Sequence, residues 1–356
     1  MKAWWLPLFS MALLVSPGCG APKAIPARWP SEPPAITHSE DRFTLKVLEL
    51  DESGSPKSKE QWEGVLAAAG QADDVVLFMH GWRRDARDVG TMEAFLKIYR
   101  GAFECLAQRD VEGTEACRAT HTFCHPASKT SKLVILVLWN GRSGLFGFKK
   151  VQQRAYEMRS GLLKVLEAIH KEVHERGTFL VLGHSLGGTA LASAIFQGAE
   201  AGHIPVDGAL LVVGAFNSGQ FSFPADTQVA SAGGTPLLLN LFNRSDGYLR
   251  FYRWMYGTPT AGETGLKEFP TTPGASWVRE GRQCGATGET SLGASLFASG
   301  KRIRCGKDGV LDILNMDATG LIRGHTNIED EPSLRIYNRV AAEMLFQILW
   351  DRVPRG

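Results

Sequence analysis

The sequence predicts an α/β fold built on a mostly parallel β-sheet with helices on both faces. Three observations carry that expectation: short, uninterrupted apolar runs recur along the chain, segments of helical periodicity separate them, and a glycine-rich junction joins one run directly to a helix. Apolar runs without polar alternation belong to strands buried on both faces, the condition of a parallel sheet covered by crossover helices. With 44% hydrophobic and 21% charged residues among 356, the chain has the balance of a globular protein rather than a disordered or fibrous one. Its 39 Lys+Arg against 37 Asp+Glu leave a net charge of +2, too little to attract nucleic acid or another polyanion.

The N-terminus comes first. Met1 and Lys2 precede an apolar run from Trp4 to Val15, shorter than the roughly 20 residues a membrane-spanning helix needs. Residues 1–18 are therefore expected to be a secretory signal peptide. The segment ends in Ser16-Pro17-Gly18-Cys19-Gly20, which resembles the lipobox of bacterial lipoproteins, a small residue followed by the cysteine that becomes diacylated. Ser16 stands where Leu is usual, and Pro17 where Ser or Ala is. The expectation is a lipid anchor at Cys19 that holds an otherwise soluble protein at a membrane of the bacterial cell envelope, outside the cytoplasm, with plain signal-peptide cleavage nearby as the alternative. Residues 19–40 read as its tether, since Pro22, Pro26, Pro30, Pro33 and Pro34 keep the chain extended and deny it a helix.

The folded domain is expected over 41–356. Phe43 to Leu50 alternates as a first strand. Val75 to Met79, Leu133 to Trp139, Phe179 to Leu182, Ala209 to Val213 and Pro236 to Phe242 are the buried runs. Helical patterns fall at Trp62 to Ala69, at three- and four-residue steps from Val151 to Val173, at Thr189 to Ala201, and at Leu334 to Trp350. Two long segments, about 101–131 and 257–308, have no place in this alternation and read as insertions.

The chemistry sits where Phe179 to Leu182 runs into Gly183-His184-Ser185-Leu186-Gly187-Gly188 and then an Ala-rich helix. G-x-S-x-G is too short a string to mean much alone, but at a strand-to-helix junction it has a physical reason. The nucleophile occupies a strained turn across which larger side chains would clash, and the turn lifts Ser185 to the C-terminal edge of the sheet, at a helix N-terminus. Upstream, Met79-His80-Gly81-Trp82 ends another buried run. There the amide of Trp82 is expected to pair with that of Leu186 as an oxyanion hole, with His80 bracing the loop through the backbone. Arg83 and Arg84 read as solvated loop residues.

A serine in such an elbow takes its acid and then its base from later in the chain. Two histidines follow Ser185. His203 lies in a turn at the far edge of the sheet, which leaves His325, in the loop Arg323-Gly324-His325-Thr326-Asn327, as the base. Among the intervening aspartates, Asp246 follows directly on the run Pro236 to Phe242 and is the favoured acid; Asp226 and Asp317 remain alternatives.

His80-Gly81-Trp82, Gly183 to Gly187, Ser245-Asp246 and Gly324-His325 together resemble the α/β-hydrolase superfamily, in a branch of bacterial serine hydrolases of poorly defined activity. The resemblance spans about residues 43–350 and implies the α/β-hydrolase fold. It also implies an acyl-enzyme mechanism in which Ser185 is nucleophile, His325 base and Asp246 its orienting acid. A carboxylic ester, either a small molecule or a lipid, is the expected substrate, with no cofactor and no metal. A peptidase or acyltransferase would use the same residues, and a non-catalytic envelope binding protein is the reading from another class.

The remaining cysteines fall in or beside the insertions. In an exported protein Cys117–Cys124 and Cys284–Cys305 read as loop disulfides, leaving Cys105 over. Other pairings of Cys105 are open, as is a zinc site drawn from Cys105, Cys117, His121, Cys124 and His125. Tyr248 to Tyr256, dense in aromatics with interleaved arginines, reads as a buried amphipathic helix, with a lid or acyl-pocket wall lying against a lipid surface as the other reading.

Overall fold

A computed structural model of the chain describes residues 43–81, 131–141, 143, 147–173, 177–220, 237–267, 269, 271–273, 301–305, 309–322, 324 and 325. Cys19 with its leader and tether, Trp82, Asp226, the expected helix at 334–350 and the disulfide and zinc candidates lie outside the described residues, except for Cys305, of which only the backbone is described.

The expected apolar runs form strands. β1 (Phe43–Glu49), β2 (Asp74–Met79), β3 (Lys132–Leu138), β4 (Thr178–His184), β5 (Gly208–Val212) and β6 (Leu237–Phe242) are joined by β9 (Gly309–Asp317). These seven lie parallel in the order β1-β3-β2-β4-β5-β6-β9. Every residue of β2, β3, β4, β5 and β6 is buried, which explains the absence of polar alternation. Two short strands complete the sheet along the outer edge of β9: β7 (Thr271–Pro273), parallel, and β8 (Lys301–Cys305), antiparallel.

Helices flank the sheet. α1 (Lys59–Ala69) starts at Ser58, whose hydroxyl caps the Gln61 amide. It is followed by α2 (Phe148–Glu157), α3 (Arg159–Val173) and α4 (Leu186–Glu200). α1 touches α3, α3 touches α4 and α4 touches α2, so the four pack side by side. All of α4 except Gln197 and Glu200 is buried, and its run of Gly, Ala, Ser and Thr lets it lie close to its neighbours. α5 (Gly247–Tyr256) and the single turn α6 (Ala261–Thr264) follow β6.

Part of the chain expected to be insertion belongs to the sheet. Residues 257–308 hold α6, β7 and β8, and β9 follows them unannounced by the apolar pattern. Asp312 and Asn315 break its apolar run, yet Asn315 is buried. Its Nδ2 donates to the carbonyls of Leu266 and Phe269 at 2.9 and 3.1 Å, and its Oδ1 accepts from the Leu266 amide and from Asn240 Nδ2 at 2.8 and 3.0 Å. A fully bonded polar side chain sits in a core strand at little cost.

The strand order positions the site. From β2 the chain steps outward to β3, whereas from β4 it steps the other way through β5 and β6, yet β2 and β4 are neighbours. The chain direction thus reverses between β2 and β4, and their C-terminal ends mark the topological switch point at which α/β sheets bind ligands.

Candidate active site

Ser185 lies at that switch point, on the turn from β4 into α4. Its backbone is held at φ 54°, ψ −118°, a left-handed conformation costly for a side chain with a Cβ. Three bonds over-determine it: its amide donates to Val212 O at 2.9 Å, and its carbonyl accepts from the Thr189 and Ala215 amides, both at 3.1 Å. Val213, immediately beyond β5, is the other non-glycine residue at positive φ (44°) among the described residues, and nothing in the sequence marked it. Gly187 is required by close approach, since a Cβ there would fall 2.2 Å from the Met79 carbonyl oxygen.

His325 and Ser185, 140 residues apart in sequence, meet in space. Ser185 Oγ donates to His325 Nε2 at 2.7 Å, and His325 Nδ1 donates to Asp246 Oδ2 at 2.6 Å. Asp246 is wholly buried, and its other oxygen, Oδ1, accepts the Leu249 amide at 3.0 Å, capping α5. The carboxylate thus sits at a helix N-terminus, where the backbone amides favour its charge. Asp317, the alternative acid, instead pairs with Arg244 Nε at 3.0 Å and accepts the Thr319 amide. His203 is exposed and bonds Glu167.

The turn carrying Asp246 is stitched to the segment that delivers His325. Asn243 Nδ2 donates to Ile322 O at 3.1 Å, the Arg244 amide to Thr319 Oγ1 at 2.9 Å, and the Ala318 amide to Phe242 O at 2.8 Å. Asn243 also turns the chain toward Asp246, its Oδ1 accepting the Ser245 amide at 2.9 Å. Within the elbow, His184 Nε2 donates to the His325 carbonyl at 2.9 Å. The rings of His184 and Tyr248 lie 5.2 and 5.6 Å from that of His325, so the imidazole is held from three sides. Asn243 and His184 are positioning residues that the sequence analysis did not assign; the only available signal was their adjacency to Asp246 and Ser185.

The loop after β2 lies against the nucleophile. A Cβ on Gly81 would come 2.8 Å from Ser185 Cβ and 3.1 Å from His184 Nδ1, so only glycine fits. His80 Nδ1 donates to the Gly81 carbonyl at 2.9 Å, its own carbonyl accepts from Trp139 Nε1 at 2.9 Å, and the two rings stack at 5.8 Å. Of the two expected oxyanion donors, Trp82 lies outside the described residues. Leu186 opens α4, where a first-turn amide has no partner within the helix and is available to an anion beside Ser185.

A further tie reaches α5. Tyr252 Oη donates to Gln152 Oε1 at 2.8 Å, and Gln152 Nε2 donates to Ala215 O at 2.6 Å, next to the Ala215 amide that holds Ser185. Burial pushes the Tyr252 phenol above its ordinary range, which keeps it a donor. Tyr248 to Tyr256 is indeed a helix, but only Leu249 and Tyr252 of α5 are buried. Tyr248, Phe251 and Trp254 are exposed, which corrects the expectation of a buried helix: a single face of α5 meets the domain, and three aromatics lie outside it.

Among the described residues, no group of three or more His, Cys, Asp or Glu could hold a metal ion, and no helix is long and apolar enough to cross a membrane. The chain matches no model of a known protein family, and no curated protein matches it in sequence.

Proposed function

We propose that the chain is a serine hydrolase of the α/β-hydrolase type, exported and lipid-anchored at Cys19, that cleaves carboxylic esters. The observation that carries this reading is the unbroken line from Asp246 Oδ2 through His325 to Ser185 Oγ, at 2.6 and 2.7 Å, with the serine on a strained strand-to-helix turn. An idle serine has no need of that strain. The chain order Ser, Asp, His and the switch point between β2 and β4 support the same fold reading.

In this mechanism Ser185 Oγ attacks the ester carbonyl carbon while its proton passes to His325 Nε2. Asp246 holds the proton on Nδ1 and stabilises the imidazolium. The carbonyl oxygen takes up the negative charge and is met by the amides of Leu186 and Trp82. Collapse breaks the ester C–O bond, and the departing alkoxide takes the proton from Nε2, leaving an acyl-serine. Water then repeats the sequence, releasing the carboxylic acid and restoring Ser185.

A fluorophosphonate probe tests the nucleophile. It is expected to label the wild-type chain and not Ser185→Ala, and an unlabelled wild type overturns the proposal. Hydrolysis of p-nitrophenyl esters of graded chain length then defines the acyl preference, and failure to turn over any of them favours the binding-protein reading.

A further inference from the structure

The helix that begins at Asp246 turns an unusual face to solvent. Trp254 is 78% exposed, Tyr248 49% and Phe251 39%, and these are the large hydrophobic side chains exposed among the described residues. They recur every third position, so the rings form a stripe along α5. It starts at Tyr248, against the His325 ring, and continues to the stacked pair Phe251–Trp254, whose centroids are 5.7 Å apart. Gly247 leaves open space in the same face, and the resulting shallow depression of about 510 Å³ is lined by Gly247, Arg250, Phe251, Arg253 and Trp254.

The charge on this helix has one sign. α5 carries Arg250 and Arg253 and no acidic residue. Arg253 is fixed by Glu263, whose Oε1 lies 3.1 Å from its Nη1, while Arg250 flanks the two stacked rings. Solvent-facing indole, phenyl and phenol rings rimmed by arginines are the chemistry of a helix that lies in a lipid interface: rings at the acyl boundary, guanidinium groups on the phosphates. Three side chains cover too little area for a stable protein–protein interface, which needs on the order of 1,000 Å². A surface contact, by contrast, is sufficient when a second attachment already holds the protein nearby.

We propose that the exposed face of α5 docks onto an anionic lipid surface, with Trp254 and Phe251 inserted among the acyl chains and Arg250 on lipid phosphates. The contact is distinct from the anchor expected at Cys19, and it does not rest on Ser185 being a nucleophile. Docking would present the end of the stripe nearest His325 to molecules in the bilayer.

Tryptophan emission of the full chain tests this on vesicles of phosphatidylcholine alone or mixed with phosphatidylglycerol, with and without brominated acyl chains. The difference between wild type and Trp254→Phe isolates the emission of Trp254, because any attachment through the leader, and the signal of every other tryptophan, is common to both. That emission is expected to shift to the blue and to be quenched by brominated chains in the mixed vesicles. Quenching is expected to be several-fold weaker in phosphatidylcholine alone, and weaker in Arg250→Gln and Phe251→Ser. Arg250 is the better charge variant, since removing Arg253 would strip the buried Glu263 of its partner. Unquenched Trp254 emission in the mixed vesicles overturns the proposal, as does equal quenching in both compositions. A concentration-dependent blue shift without vesicles, with a dimer in sedimentation, overturns it in favour of a second copy of the chain.

Discussion

Asp246 has both carboxylate oxygens committed, one to His325 Nδ1 and one to the Leu249 amide. Asparagine can keep the cap through its own Oδ1, but the amide it turns toward His325 cannot accept the Nδ1 proton, so the imidazole is driven to the wrong tautomer. Asp246→Asn is therefore expected to lower kcat for p-nitrophenyl ester hydrolysis by about 10⁴ while leaving the melting temperature close to wild type, the loss seen in the analogous triad. A near-normal rate would move the acid elsewhere. Ser185 and His325 were legible as candidates because a strained turn needs glycines around it and because few histidines follow the serine. Asn243 and His184 were not, because each acts on a backbone carbonyl, of Ile322 and His325, that lies 79 and 141 residues away. A contact of that kind leaves no trace in local sequence pattern.

At the scale of elements, α5 and α6 meet through a buried charge. Glu263 is 2% exposed. Burial pushes its carboxyl above the ordinary glutamate range; Arg253 and Arg250 pull it back, and the negative Asp246 pushes it further up. A carboxyl raised in this way binds its proton more tightly folded than unfolded. The stability it contributes is thus complete below the ordinary value of about 4.3 and is lost as pH rises through the folded value. Glu263→Gln removes that dependence and leaves Arg253, which is half exposed, to water. The variant is expected to melt at or above the wild-type temperature at neutral pH and to show a flatter profile in thermal melts across the acid range. A variant that melts well below wild type at neutral pH would mean that the Arg253 pair outweighs the burial of the charge. Legibility at this scale followed burial. The five apolar runs announced their strands, whereas β9 did not, because Asp312 and Asn315 interrupt it, Asn315 with a polar group satisfied by Leu266, Phe269 and Asn240. The α5 face was misjudged for the opposite reason: aromatic density resembles a core until the neighbours that would cover it are known.

For the whole molecule, an α/β architecture followed from alternation alone, and the strand order supplied what alternation could not. Which neighbours β2 and β4 have decides where the switch point falls, and no local pattern records it. Attachment belongs to this scale too. If Cys19 carries the anchor, Cys19→Ala is expected to block lipid attachment, so that metabolically supplied fatty acid labels the wild-type chain and not the variant; equal labelling would place any acyl group elsewhere. At its far side the sheet continues past β9, whose outer edge is occupied by β8 along Gly309 to Ile313 and by β7 along Asn315 to Asp317. An open row of amides and carbonyls would invite a strand from another molecule. Two short segments of the chain's own 257–308 region cover that row and leave strands of only three and five residues at the edge, short templates for a strand from another molecule.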